Sequence, residues 1–289
     1  MPRGLDHIVH AVRDLDAAAD VYKRLGFTVG ARNRHPWGTH NHIVQLPGFF
    51  VELLTLAEPD RLGDDGFSKL FGAYTRDFVA RHEGLALLIL ESQDAHADEA
   101  AFRAAGVAGS DVMRFEREGR RPGGEPVKVA FSLAFAEDRL APDIHFATCQ
   151  QHYPENFWNP VFQKHANSVT GVAGVVVVAV EPEQHRTFFE AFTGASAQAN
   201  EGGFSIATSR GAIDVAVPEA FVHRFGVKAP DISDGARLAA LRMSTADPEL
   251  VQGCPELAGM AGLYAGNAVV IGAEDALGAV LVFEPAEAG

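Results

Sequence analysis

One pattern recurs four times along the chain, and it restricts the fold more than any other feature. Each copy has an apolar strand, an Asp or Pro that can start a helix, a short amphipathic helix, and a Gly twelve residues after the Asp or Pro. The four pairs are Asp14 and Gly26, Asp94 and Gly106, Pro182 and Gly194, and Asp247 and Gly259. Asp and Pro suit the first positions of a helix, and Gly suits the left-handed residue that ends one. The chain is therefore predicted to contain four similar modules.

Segments that are typical of strands follow each helix. In the first module, THNHIVQL (39–46) and FFVELLTL (49–56) are joined by Pro47-Gly48, which favours a tight turn between antiparallel strands. Comparable segments lie at 127–135 and 143–149, at 202–217 and at 267–284. Each module is thus predicted to have one strand, one helix and about three further strands. Because so small a unit buries little surface alone, we expect the modules to pair, with one pair at 1–155 and the second at 156–289.

Composition argues against several classes of function. The chain has 38 acidic and 24 basic residues, a net charge of -14, which disfavours binding to nucleic acid or to an anionic membrane surface. The longest apolar stretch, residues 172–180, is much shorter than the ~20 residues that span a bilayer. Two cysteines cannot form a disulfide framework, and the first residues lack the layout of a signal peptide. We therefore expect a cytoplasmic protein without nucleic-acid or membrane partners.

The first module carries a resemblance to a known family. The segments LDHIVHAVRDLDAAADVYKRLGF and HPWGTHNHIVQLPGFFVELL resemble the vicinal oxygen chelate superfamily, and within it the glyoxalase-like proteins. This resemblance implies an α+β fold of four βαβββ modules, in which paired modules curl their sheets into half-open cups. It also implies a divalent metal (Fe, Zn, Mn or Ni) in a cup, bound by a His on a first strand and a Glu on a last strand. Here these residues are His7 and Glu52.

Strand alternation indicates which side chains face the cup. On the first strand His7 is expected on the cup face, and His10 on the opposite face. If Pro47-Gly48 forms the turn, Glu52 lies opposite Ile43. The same register directs three candidate substrate contacts into the cup: Asn41, Gln45 and Phe50.

The other modules lack the full set of ligands. Aligned with His7, the second copy has Ala86 and the third has Gly174, while the fourth offers only Glu284 on its last strand. The second cup is therefore expected to bind no metal.

A third ligand for the first cup could come from DIHFATCQQH at 143–152. Aligning this segment with the strand of Glu52 places His145 and Cys149 on the same face. The expected metal site is therefore His7, Glu52 and His145, with Cys149 nearby.

These residues also have structural interpretations. Glu52 lies inside an apolar strand, so its charge needs a metal, a proton or a basic partner, and a structural ion pair would satisfy it. His7 could be a strand histidine bonded to a neighbour. Arg121, in the Gly- and Pro-rich loop GRRPGGE, is either solvated or part of a lid that binds an anionic substrate. The aromatic segment 151–167 between the module pairs is expected to pack on them and to cover a cleft.

Two functions from different classes agree with this pattern. The leading hypothesis is a metal-dependent enzyme acting on a small oxygenated substrate as a lyase, isomerase or ring-cleaving dioxygenase, in which Glu52 or a neighbouring group moves a proton. The alternative is a metal-free protein that binds or sequesters a small molecule in an apolar cup. A homodimer is left open as the assembly, and no pattern in the sequence selects the substrate.

Overall fold

The strands form two mixed sheets of eight strands each in the computed structural model, which describes residues 2–120, 124–254, 259–260 and 262–286. Strands of the first sheet lie between Leu5 and Gln151, and those of the second between Val169 and Pro285. In both sheets the central pair of strands is antiparallel, and each of these two strands is parallel to the last strand of its own module. This is the α+β arrangement of paired βαβββ modules that the repeat predicts.

Two modules form the first sheet. The first contains β1 (Leu5–Ala11), α1 (Leu15–Arg24), β2 (Asn33–Arg34), β3 (Thr39–Leu46) and β4 (Phe49–Leu56). A 3-10 turn (Pro59–Arg61), a π-helical segment (Ser68–Ala73) and α2 (Tyr74–Arg81) connect the modules. The second contains β5 (Gly84–Glu91), α3 (Ala95–Ala105), β6 (Met113–Arg120), β7 (Pro126–Ala136) and β8 (His145–Gln151). The sheet order is β2-β3-β4-β1-β5-β8-β7-β6.

The second sheet repeats this plan. Helix α4 (Pro154–Phe157) precedes it in the connecting segment. The third module contains β9 (Val169–Val178), a 3-10 turn (Pro182–His185), α5 (Arg186–Thr193), β10 (Gln198–Asn200), β11 (Gly203–Ala207) and β12 (Ala212–Ala216). After α6 (Pro218–Phe225) come β13 (Arg237–Thr245), α7 (Pro248–Gln252), β14 (Gly262–Ala265), β15 (Ala268–Ile271) and β16 (Val280–Pro285).

Most helix ends lie where the repeated residues predict, but α7 ends at Gln252, seven residues before Gly259. Side chains of three N-cap residues, Asp14, Asp94 and Asp247, accept hydrogen bonds from backbone N–H groups of the first helical turn. The four glycines of the pattern, Gly26, Gly106, Gly194 and Gly259, all have φ between 70° and 84°. Among the described residues, no helix combines the length and the apolar character that crossing a membrane requires.

Both sheets carry a bulge at the same place in their central strand pair. The β1–β5 ladder shifts register between Leu5 and His7, so Asp6 is an extra residue of β1. The β9–β13 ladder shifts between Val172 and Gly174, which leaves Ala173 as the extra residue. His7 and Gly174 therefore occupy equivalent positions, as the alignment predicted.

The parallel ladders extend this equivalence to the last strands. Glu52 pairs with Val9 two residues after His7, and Asp214 pairs with Val176 two residues after Gly174. Asp214 is therefore the counterpart of Glu52 in the second sheet.

The alignment of the second module was wrong by one residue. A further shift in the β1–β5 ladder makes Ala86 an extra residue of β5, so Ala86 corresponds to Asp6. The counterpart of His7 is Leu87, which pairs with His145 as His7 pairs with Phe50. The counterpart of Glu52 is then Ala147, two residues beyond His145 on β8.

One continuous apolar cluster joins the two sheets on their helical faces. It contains β1 residues such as Ile8 and β9 residues such as Val177, all excluded from solvent. Aromatic rings of α3 and α5 meet in it, with Phe102 and Phe192 at 6.0 Å between centroids. Two separate clusters lie on the concave faces, where α2 packs into the first cup and α6 into the second.

An arginine fills the centre of the second cup. Arg242 lies opposite Gly174 on β13, and its Nη1 would be 3.1 Å from a Cβ atom added to that glycine. Its guanidinium donates two hydrogen bonds to Glu284, at 2.7 and 2.8 Å, and one to Asp214, at 2.7 Å. Glu284, aligned as a last-strand ligand, is thus the partner of a bidentate ion pair.

Replacing Arg242 by Met should lower the free energy of unfolding by about 3 kcal/mol, because Asp214 and Glu284 would lose their buried cation and keep only the more exposed Arg224. Urea denaturation followed by circular dichroism measures this loss. The control is Arg224→Gln, which removes a more exposed partner of Asp214 and should cost less than about 1 kcal/mol. A loss of similar size in both variants would show that Arg242 does not stabilise the second cup.

Candidate active site

The concave face of the first sheet encloses a small cavity of about 90 Å³. Its walls are mostly apolar, and their aromatic rings come from both modules, the segment between them and the connecting segment: Trp37, Phe50, Phe67, Phe71, Phe115, Phe131 and Phe157. The polar side chains that line it are few: His7, Asn33, His35, Asn41, Glu52, Arg117 and Cys149. Such a mixture, apolar walls with a few placed polar groups, is typical of a small-molecule site.

His7 is held by its preceding residue. Its Nδ1 lies 2.5 Å from Oδ1 of Asp6, and Nε2 of Gln151 donates to the other carboxylate oxygen at 2.8 Å. Because a carboxylate only accepts, Nδ1 carries the proton, and in the neutral ring Nε2 keeps its lone pair. The ring stacks on Phe50, with 4.2 Å between centroids and 11° between planes. Two constraints thus fix the imidazole at the cavity wall.

Glu52 reaches the cavity from β4. The predicted register is confirmed, since Ile43 pairs with Glu52, Gln45 with Phe50 and Asn41 with Leu54. Nδ2 of Asn41 donates to Oε1 of Glu52 at 2.5 Å. Oε2 of Glu52 forms no hydrogen bond with a described residue. A buried carboxylate is therefore oriented by one amide and keeps one oxygen for a ligand.

The side chains of Asn33 and His35 contact the Asn41 amide. Nδ2 of Asn33 donates to Oδ1 of Asn41 at 3.0 Å, and Nε2 of His35 lies 3.5 Å from Nδ2 of Asn41. Nδ1 of His35 lies 2.8 Å from the Thr39 hydroxyl, and its ring stacks on Trp37. Burial lowers the pKa of His35, and the nearby Glu52 carboxylate opposes this shift. His35 is thus a neutral support for the carboxylate network.

Asp6, His7 and Cys149 form a cluster of donor atoms. Their ligand atoms all lie within 4.8 Å of one another, and all three residues are buried. Burial raises the pKa of the Cys149 thiol well above its usual value, and the Asp6 and Glu52 carboxylates add to the shift. Without a cation, Cys149 is therefore a protonated thiol.

Comparison with known families decides the classification. The family model described as Glyoxalase-like domain matches residues 5–193, which include the whole first sheet and the beginning of the second. The chain belongs to the glyoxalase-like domain family. No curated protein matches the sequence significantly.

Solved structures resemble the glyoxalase-like chain over its whole length. A hypothetical protein from Staphylococcus aureus matches with a TM-score of 0.67 and 13% identity, covering 98% of this chain and 100% of that one. A mutant 4-hydroxymandelate synthase from Streptomyces coelicolor matches with a TM-score of 0.62 and 12% identity, covering 100% and 94%. A xylose isomerase-like TIM barrel/4-hydroxyphenylpyruvate dioxygenase fusion protein gives 0.57 and 12%, covering 100% and 50%. At these identities the likeness shows the fold alone.

The glyoxalase-like fold implies a divalent metal, and the donor atoms of the first cup fit one. An imidazole nitrogen of His7 and a carboxylate oxygen of Glu52 line the same cavity, and borderline metals accept both ligand types. A histidine that binds a metal usually donates its other ring N–H to a carboxylate, as His7 does to Asp6. Cys149 lines the same cavity and clusters with Asp6 and His7, though not with Glu52, and a metal there could deprotonate its thiol.

The structure does not bring His145 to this cluster. Its side chain stacks on Tyr74, with 3.5 Å between ring centroids, and its Nδ1 bonds to the carbonyl oxygen of Leu70. Alternation placed it on the correct face, but it lies four residues before Cys149, a separation of about 13 Å along a strand. Burial lowers the pKa of His145 to about 4, which suits a neutral packing residue beneath α2.

The connecting segment covers the cavity, and Gln45 holds this segment in place. Nε2 of Gln45 donates to the Phe157 carbonyl at 2.8 Å, and its Oε1 accepts from the Asn159 N–H at 3.0 Å. Phe157 and Trp158 both contact Phe50, with centroids 4.9 and 5.9 Å away. Gln45 was expected to bind substrate, but its amide oxygen and amide nitrogen both bond to the connecting segment. Phe50, which was also expected to bind substrate, lines the cavity.

A basic residue that the sequence did not single out lines the cavity. This residue is Arg117 on β6. Arg121, the predicted basic residue, lies outside the described residues. Arg117 lies two residues after Phe115, so both side chains lie on the same face of β6. This alternation could have revealed Arg117 from the sequence. Sequence reasoning also missed Asp6, because neighbours on a regular strand point to opposite faces.

Proposed function

We propose that the chain is a metal-dependent enzyme of the vicinal oxygen chelate type. It acts on a small oxygenated organic substrate by lyase, isomerase or ring-cleaving dioxygenase chemistry. The observation that carries the proposal is the shared cavity of His7 and Glu52, in which Asp6 leaves Nε2 of His7 available and Asn41 leaves Oε2 of Glu52 available. Both atoms are ligands of the type that a divalent cation needs.

Each neighbouring residue has a role in holding this pair. The Asp6 carboxylate keeps the proton of His7 on Nδ1, and the Phe50 ring fixes the plane of the imidazole. A divalent cation would supply Lewis-acid polarisation of a substrate oxygen. The amide of Asn41 orients Glu52, whose Oε2 can either bind the cation or accept a proton from the substrate.

The aromatic walls define the environment of the reaction. Trp37, Phe67 and Phe115 form a packed wall on one side, with ring centroids 4.8 to 5.9 Å apart. Phe50 and Phe157 close the other side at 4.9 Å. Excluding water strengthens the interaction of charged groups with a substrate oxygen, and aromatic rings bind an apolar or planar substrate body.

A second candidate function is metal-free binding of a small apolar molecule. It is favoured by Leu87 and Ala147, which stand in the second module at the positions of His7 and Glu52 and offer no donor atoms. Native mass spectrometry would detect a copurified organic ligand. A metal-loaded protein without such a ligand would count against this candidate.

Protein purified without chelator should contain about one divalent metal ion per chain. His7→Ala and Glu52→Ala should each lose most of this metal, because each removes a ligand from the cavity. Inductively coupled plasma mass spectrometry measures the content, and thermal unfolding checks that the variants fold.

Matched controls are His96→Ala and Glu219→Ala, which remove exposed residues of the same types. His145→Ala should also keep its metal, because that side chain packs against Tyr74. Substoichiometric metal that neither His7→Ala nor Glu52→Ala reduces would refute the metal-dependent enzyme.

Asp6→Asn should weaken metal affinity by about tenfold or more, since it removes the charge that orients and polarises His7. The affinity is measured by competition with a chromogenic chelator. Asp20→Asn, at an exposed position on α1, is the control for loss of a surface charge. An unchanged affinity in Asp6→Asn would mean that the carboxylate does not act through His7.

A further inference from the structure

Arg117 lies at the junction of two cavities and has no partner among the residues that the structure describes. Its side chain, partly buried on β6, lines the inner cavity with His7 and Glu52. It also lines a larger outer cavity of about 740 Å³, which the connecting segment borders. Three residues besides Arg117 line both spaces: Asn33, Ile43 and Phe157. A ligand that enters from the outer cavity therefore passes the guanidinium before it reaches His7 and Glu52.

No described residue satisfies this guanidinium. None of its nitrogens forms a hydrogen bond, or an ion pair within 4.0 Å, with a described residue. Burial lowers the pKa of Arg117, and the more distant Glu52 carboxylate partly opposes the shift. Five N–H donors thus lack acceptors among the described residues, at a cavity lined mostly by apolar side chains.

The chain pairs its other partly buried arginines with carboxylates. Arg210 bonds to Glu91 at 3.0 Å, and Arg242 bonds to Glu284 at 2.7 Å. On the same strand as Arg117, the outward-facing Arg114 pairs with Glu116 at 3.1 Å. An unpaired charge at a partly buried site is costly, so the isolation of Arg117 among the described residues favours a partner that binds from outside the chain.

The cavities also indicate the charge and size of that partner. Arg117 is the one lysine or arginine among the described residues that line either cavity. A single guanidinium matches a monoanion, and its planar fork matches the two oxygens of a carboxylate. The aromatic lining next to it suits an apolar or aromatic body.

We propose that Arg117 binds the carboxylate of an apolar or aromatic monocarboxylic acid, and so determines the substrate class of this site. The proposal rests on the proposed function, in which the oxygenated part of the substrate reaches His7 and Glu52. Arg117 is a binding residue at the entrance to that pair, and Phe115 beside it on β6 contacts the substrate body.

Both tryptophans of the chain report on the two cavities, since Trp37 lines the inner one and Trp158 the outer one. Tryptophan fluorescence can therefore follow titrations of the protein with phenylacetate and with phenylacetamide, an uncharged probe of nearly the same shape. Wild type should bind phenylacetate about tenfold more tightly than phenylacetamide, which corresponds to about 1.4 kcal/mol.

Arg117→Gln should abolish this preference by weakening phenylacetate binding alone, and Arg117→Lys should restore part of it. Arg114→Gln should behave as wild type, because this arginine points away from the cup and pairs with Glu116. Equal binding of the two probes by wild type, or a preference that survives in Arg117→Gln, would overturn the proposal.

Titrations before and after chelator treatment separate this proposal from the metal proposal. A preference for phenylacetate that persists without metal and disappears in Arg117→Gln supports carboxylate binding by Arg117. This holds even if the protein proves to be metal-free. A preference that chelator removes while Arg117→Gln retains it would assign carboxylate binding to the metal. That result would overturn the role of Arg117 and leave the metal-dependent enzyme standing.

Discussion

A hydrogen bond between two adjacent residues determines the geometry of the site. In a regular strand Asp6 and His7 would point to opposite faces, but the bulge at Asp6 interrupts the alternation and places its Oδ1 2.5 Å from Nδ1 of His7. The bond fixes the tautomer and leaves Nε2 of this cavity-lining residue available for a ligand. Without it, His7 would be a stacked aromatic ring with no defined donor atom, and Glu52 would be a buried carboxylate without a matching ligand.

The second sheet shows the same backbone used for a different purpose. It keeps the bulge, but the residues there are Ala173 and Gly174. Opposite His7 the first sheet has Ile89, whereas opposite Gly174 the second has Arg242, whose guanidinium binds the two neighbouring carboxylates. The guanidinium of Arg242 thus occupies the second cup, whereas the first cup contains a cavity. The modules therefore share the backbone arrangement of the sheet more closely than the side chains of the cup.

Local signals in the sequence were sufficient for the fold and for part of the site. Capping residues, terminal glycines and the turn at Pro47-Gly48 act within a few residues, so they predicted the modules and the register of β3 on β4. The bulge depends on how β1 pairs with β5, about eighty residues away, and no local pattern revealed Asp6. Alternation gave the face of His145 but not its distance from His7. Sequence reasoning also overlooked Arg117 on β6, the second strand of the second module.

The most direct test of the account is a crystal structure of protein loaded with a transition metal, with anomalous diffraction measured at the metal edge. The account predicts a peak about 2.0 to 2.2 Å from Nε2 of His7 and from a carboxylate oxygen of Glu52, with Nδ1 of His7 still bonded to Asp6. It predicts no peak beside Arg242. An anomalous peak away from both His7 and Glu52, or a His7 ring turned out of the first cup, would contradict it.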